Sequence, residues 1–189
     1  MNQSSATKER LLLSALEHFA EYGYHGTSLR DISSAAGVNV SLISRYFRGK
    51  RGLYQSCFEL LYSKIIQYKS ELIELFHRKA FHILIPRAYR FAQNNHHSLL
   101  LIQRSLLFEE MNQNATKYLI NFSTALQTAY PHMSRIQIQL GLQSLLILLT
   151  RYTLMSKEEI QGLFGEKGTN IVIEHLCDLA NHIFSQESS

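Results

Sequence analysis

This sequence predicts an all-α protein, and three observations point that way. Apolar residues recur at helical spacing in segment after segment, as with Leu12, Ala15, Leu16, Phe19 and Ala20 near the start. Only two prolines occur in 189 residues, with nine glycines, so little interrupts long helices. No alternation of apolar and polar residues runs long enough to make a strand. Hydrophobic residues make up 46% and charged residues 18%, an ordinary globular balance that excludes a disordered chain.

Each element has its own signals. Thr7 or the serines before it can cap a first helix, and Gly23 in "YGYHG" can stop it. Ser28 with Asp31 three residues later is an acidic form of the capping box, opening a short helix that buries Leu29, Ile32 and Ala35 or Ala36. Gly37 ends that helix, Asn39 caps the next, and Ile43 and Phe47 form its inner stripe. Two short helices joined by a turn containing Gly are the helix-turn-helix pattern. A long helix is expected from Leu53 to Lys79, followed by helices near 80–94, 97–111, 115–129, 134–155 and 169–185. The most apolar segment, Ile136 to Met155, is interrupted by Gln137, Gln139, Gln143 and Arg151 and reads as a buried helix, so no membrane is expected.

Charge singles out the first quarter of the chain. Residues 1–51 hold seven Lys/Arg against four Asp/Glu, a balance of +3, whereas residues 52–189 hold twelve against eleven, a balance of +1. Arg45, Arg48, Lys50 and Arg51 follow one another with no acid among them, which points to an anionic partner. The outer side of the third helix carries Asn39, Ser41, Ser44 and Arg45, which a core helix would not need. Short polar side chains at a helix N-terminus suit close approach to base edges in the major groove of double-stranded DNA, and nearby hydroxyls and bases suit phosphate. Thr27 and Ser28 offer hydroxyls and free amides at the start of the preceding helix. Tyr46 and Lys50 stand where backbone contacts are expected.

The spacing of these residues resembles a known family. Ala15 to Tyr24 read A-x3-F-x3-G-Y, Gly26 to Ser28 read G-T-S, and Ile32 to Val38 read I-x3-A-G-V, followed by Tyr46-Phe47, Lys50 and Leu53. Over roughly residues 7–54 the chain resembles the N-terminal domain of TetR-family (tetracycline-repressor-like) transcriptional regulators. The resemblance implies DNA contacts at Thr27 or Ser28, Arg30, Asn39, Val40, Ser41, Ser44, Arg45, Tyr46 and Lys50. Ser44 stands where the family usually has a tyrosine, and Arg45 is the expected substitute for its phosphate contact. Ser41 stands where glycine is frequent.

The resemblance further implies a DNA-binding domain over 1–51 and a helical ligand-binding and dimerisation domain over 52–189. A homodimeric repressor is expected, released from a pseudo-palindromic operator by a small, mostly apolar effector, with the long fourth helix acting as the lever. Two stripes are expected to close the dimer, Gly141, Leu145, Leu148 and Tyr152 on one helix and Val172, Leu176, Leu179 and Ile183 on the last. An effector cavity is read among Tyr89, Arg104, Phe108, Met111, Tyr118, Phe122, Gln139 and Gln143.

The alternative is a metal-responsive regulator of the same fold, because His175, Asp178 and His182 share one face of the last helix and His96 and His97 adjoin. No cofactor is expected. No GxSxG, GxxxxGK[ST] or HExxH motif occurs, so catalysis is not expected. Cys57 and Cys177 without a CxxC pair fit buried thiols in a reducing, cytoplasmic setting, and "MNQSSATKER" contains no apolar signal segment.

Overall fold

The computed structural model describes residues 3–108 and 113–185, with side chains in both stretches except over 106–118. Among the described residues there are eleven helices and no strand. They run α1 (Gln3–Gly26), α2 (Leu29–Ala35), α3 (Ser41–Phe47), α4 (Lys50–Gln67), α5 (Lys69–His77) and α6 (Phe81–Gln93), then α7 (His96–Phe108), α8 (Gln113–Leu126), α9 (Arg135–Leu154), α10 (Lys157–Phe164) and α11 (Gly168–Ser185). No single described helix is long and apolar enough to cross a membrane. The fold is all-α, with an N-terminal helix-turn-helix domain and a helical C-terminal domain.

Two compact units form. One gathers Met1–Gln67 with His97–Glu110, the other Tyr68–His96 with Met111–Ser189. This division differs from a single cut after residue 51, because α4 packs on α1 and α3 and α7 belongs with them.

In the first unit, Leu11, Ala15 and Phe19 of α1, Ile32 of α2, Ile43 of α3 and Leu53 and Cys57 of α4 are fully buried. The inner stripe of α1 thus begins at Leu11, and Leu12 is only half-buried. Phe19 meets the edge of Tyr54 with ring centroids 5.0 Å apart, tying α1 to α4. Thr7 does not cap α1. The helix starts earlier, and the Thr7 hydroxyl donates back to the Gln3 carbonyl inside it (2.9 Å). Gly23 breaks α1 as expected, with φ 72° and ψ 176°.

The long helix expected from Leu53 to Lys79 is two helices, with Tyr68 (φ −100°, ψ 2°) between them. The physical reason is a change of core. Leu53 to Tyr62 bury their stripe in the first unit, whereas Leu75 and Phe76 enter the core of the second. That core gathers Phe76, Phe81, Tyr89, Tyr130, Leu176 and Phe184 from α5, α6, the α8–α9 connection and α11. The Tyr130 hydroxyl is satisfied there by donating to the Phe76 carbonyl (2.6 Å). Ser134 and Ser156 each open a helix with a full capping box, to Gln137 and Glu159. The second box starts α10, which the periodicity did not reveal because only Ile160 of its eight residues is buried.

Candidate nucleic-acid interface

The helix-turn-helix is assembled by a short chain of hydrogen bonds. Ser14 of α1 is buried and donates to the Ile32 carbonyl (3.0 Å), pinning α2 in place. Ser28 caps α2 by accepting from the Asp31 amide (3.1 Å). Gly37 adopts φ 64°, a conformation that favours glycine, and lets the Val38 amide return to the Ser33 carbonyl (3.0 Å). The Asn39 side-chain oxygen accepts from the Ser41 amide (2.8 Å) and so opens α3.

On α3, Ile43 and Phe47 are buried while Asn39, Val40, Ser41, Ser44 and Arg45 are exposed. Arg48 ends the helix in a left-handed conformation (φ 61°, ψ 29°), its amide donating to the Ser44 carbonyl. Gly49 follows at φ 103°. A Cβ on Gly52 would lie 1.8 Å from the Phe47 carbonyl oxygen, so α4 departs from α3 at a separation only glycine permits.

The basic and aromatic residues around α3 brace one another. Tyr46 is half-buried, with its hydroxyl 3.1 Å from that of Ser4 and its ring 5.9 Å from the Arg45 guanidinium. The Lys50 ammonium sits 4.7 Å over the Tyr24 ring. Arg30 is exposed on α2, and Arg48 and Arg51 are exposed beside Lys50. Lys8 and Ser4 are additions that sequence reasoning missed. The Lys8 ammonium lies 5.7 Å over Phe47, a contact between distant segments that leaves no local signal.

Thr27 is placed differently from these residues. It is buried, and its hydroxyl faces the carbonyls of Gly23 (2.7 Å) and His18 (3.0 Å). The hydroxyl hydrogen is thus engaged by main-chain carbonyls. Ser28 is exposed and keeps that position.

The comparisons with known proteins fall on this same region. Residues 11–57 match the family described as bacterial regulatory proteins, tetR family. The match to the TetR family is confined to this N-terminal region. The probable HTH-type transcriptional regulator YttP of Bacillus subtilis (strain 168) is 43% identical over 65 residues, 33% of this chain and 31% of that protein. The HTH-type transcriptional regulator RutR of Escherichia coli (strain K12) is 42% identical over 50 residues, 26% of this chain and 24% of that protein. The chain thus spans less than a third of the length of these relatives. A TetR-like transcriptional regulator from Rhodococcus sp. RHA1 shares the fold over 98% of this chain and 100% of its own, with TM-score 0.63 and 16% identity. HlyIIR, a hemolysin II transcriptional regulator, shares it over 93% and 99%, with TM-score 0.57 and 20% identity.

In the second unit, the two stripes expected at a dimer contact divide between buried and half-buried residues. Gly141, Leu145, Val172 and Leu176 are buried within the chain, and Leu148, Tyr152, Leu179 and Ile183 are half-buried against the same core. A Cβ on Gly141 would come within 2.6 Å of Ile183, so Gly141 marks where α9 and α11 approach each other inside one chain. Apolar residues cover α9 on more than one side, which left periodicity unable to pick the outer face. Ile136 (64% exposed), Leu140 (58%), Leu146 (41%) and Ile147 (61%) are the ones left outside.

Of the residues read as an effector cavity, four are described in the second unit. Tyr89 is buried and donates to the Tyr152 carbonyl (3.3 Å), with burial pushing its phenol pKa up. Phe122 packs edge-on against Phe76 (5.9 Å), Gln139 is half-buried and Gln143 is exposed. Arg104 belongs to the first unit and donates to the Glu21 carbonyl (3.2 Å). Phe108, Met111 and Tyr118 lie outside the described side chains. His175, Asp178 and His182 are all exposed on α11, but they are not drawn into a metal-sized cluster.

Proposed function

We propose that this chain is a sequence-specific DNA-binding transcriptional regulator that reads the major groove with α3. The observation that carries the proposal is the two-sided character of α3: Ile43 and Phe47 fix it to the domain, and Asn39, Val40, Ser41, Ser44 and Arg45 are left exposed in a region matching the TetR family. Asn39, Ser41 and Ser44 are short enough for close approach to base edges, and Val40, 40% exposed, offers an apolar contact suited to a thymine methyl group. Arg45 reaches base or phosphate. Ser28, Arg30, Tyr46 and Lys50 grip the backbone on either side. The functional division follows residues 1–51 for DNA and 52–189 for ligand and partner.

One helix-turn-helix buries little surface, so tight binding needs a homodimer spanning a pseudo-palindrome with half-sites about 34–36 Å apart. The outer face of α9, with Ile136, Leu140 and Ile147, is the surface proposed to meet the second copy. Repression relieved by a small, mostly apolar effector in the helical domain completes the proposal, in a cytoplasmic protein with no catalytic role. Binding of a selected duplex to the protein and two variants tests the DNA reading. Lys50→Ala should weaken all sequences about equally and lower the salt slope by roughly one unit. Arg45→Ala should cost about 1–3 kcal/mol and change sequence preference. Two variants that bind like the unaltered protein would show that α3 does not read DNA.

A further inference from the structure

We propose that Glu17 and Glu21 of α1 and His97 of α7 form a surface site for a first-row divalent cation of the Zn2+ type, within the first unit. The two glutamates stand one helical turn apart, so both carboxylates lie on the same side of α1. The fold then brings His97, the second residue of α7, to that side. One ligand atom from each of the three residues lies within 4.8 Å of the others. Metal–ligand bonds of about 2.0–2.2 Å place two ligands on one ion as much as roughly 4 Å apart, so small side-chain rotations close the set. All three residues reach solvent, which permits those rotations and leaves a coordination position for water. Glu17 and His97 also line one open surface cleft of about 380 Å³ with Arg10, Leu13 and Ser14.

The electrostatics favour a cation. Like charges one turn apart on a helix repel. Glu17 and Glu21 stand in neither the Arg78–Glu74 nor the Arg87–Glu71 ion pair. The nearest cation from α7, Arg104, is engaged with the backbone carbonyl of Glu21 (3.2 Å). One imidazole with two carboxylates suits zinc and its first-row neighbours better than Mg2+ or Ca2+, which take all-oxygen sets. A bound ion would join α7 to α1 beside the Arg104 link. The reading of α3 as a DNA-contacting helix plays no part in this inference.

Calorimetric titration of ZnCl2 into the full-length metal-free protein tests the site, with thermal unfolding as a second readout. One equivalent should bind. At free Zn2+ of about 100 times Kd the unfolding midpoint should rise by about 5–10 °C. His97→Ala and the pair Glu17→Gln with Glu21→Gln should each weaken binding at least about tenfold. Their melting without metal should stay within a few degrees of the unaltered protein, because Glu17 and Glu21 are exposed and His97 is half-buried. His175→Ala with His182→Ala, on α11, should leave binding unchanged. Absence of binding, equal affinity in the His97 variant, or loss of binding in the α11 variant would each overturn the proposal.

Discussion

Gly52→Ala sets two physical effects against each other. In a helix, Ala is favoured over Gly by up to about 1 kcal/mol, and Gly52 has no positive φ that would penalise a side chain. Local propensity alone therefore predicts a more stable protein. The packing predicts the opposite, because the new Cβ would stand 1.8 Å from the Phe47 carbonyl oxygen and 3.0 Å from its carbon. A backbone carbonyl cannot swing aside as a side chain can. Either the end of α3 or the first turn of α4 must shift. Overpacking of this kind costs about 1–3 kcal/mol, so a net loss of about 1–2 kcal/mol is expected. For a chain of this size that lowers the unfolding midpoint by about 2–8 °C. Because the displaced group is the last residue of α3, DNA affinity should also fall at temperatures where the domain is still folded. Thermal unfolding by circular dichroism and duplex binding at 15–20 °C read the two effects. A variant that melts at or above the unaltered protein and binds DNA equally would refute the packing argument.

Three further outcomes are expected. Thr27→Val should cost about 1–2 kcal/mol by leaving the Gly23 and His18 carbonyls short of a donor, while DNA affinity per folded molecule stays unchanged; a stable variant with weak DNA binding would return Thr27 to the interface. Burial pushes the Tyr130 phenol up to about 12 from an ordinary value of 10.0, so its contribution is full below pH 10 and lost as pH rises from 10 to 12; Tyr130→Phe should start about 1 kcal/mol lower and show a shallower alkaline decline, with the buried Cys57 thiol supplying part of what remains. Leu140→Asp with Ile147→Asp should give monomers in sedimentation with little change in melting of the isolated chain, and an intact dimer would place the subunit contact elsewhere.

The helix-turn-helix was legible in the sequence because its signals are local. Ser28 before Asp31, Gly37 in the turn and Asn39 before α3 each act within a few residues, and each makes the bond its chemistry suggests. The inner positions Ile43 and Phe47 follow from the same short window. What was not legible depends on which helix packs on which. Arg104 was grouped with aromatic residues by its place in the chain, whereas α7 folds back to put its guanidinium on Glu21. Gly141 and Leu176 sit on stripes as apolar as any dimer face, and only the approach of α9 to α11 shows that both are interior. The break at Tyr68 has no Pro or Gly to announce it, since it arises where one helical stripe changes core. Gly52 looked like an ordinary glycine because its constraint comes from a carbonyl across a turn.

Selection of bound fragments from the genome that encodes this chain, run in parallel with an Asn39→Ala/Arg45→Ala variant, tests the central claim most directly. If α3 reads DNA, the unaltered protein should recover fragments sharing a pseudo-palindromic site with half-sites one helical turn apart or a multiple of it. The variant should lose those fragments or recover a different site at a temperature well below its melting, which should fall by only a few degrees through loss of the Asn39 bond to the Ser41 amide. Fragments with no common site, or an identical set recovered by the variant, would contradict the account.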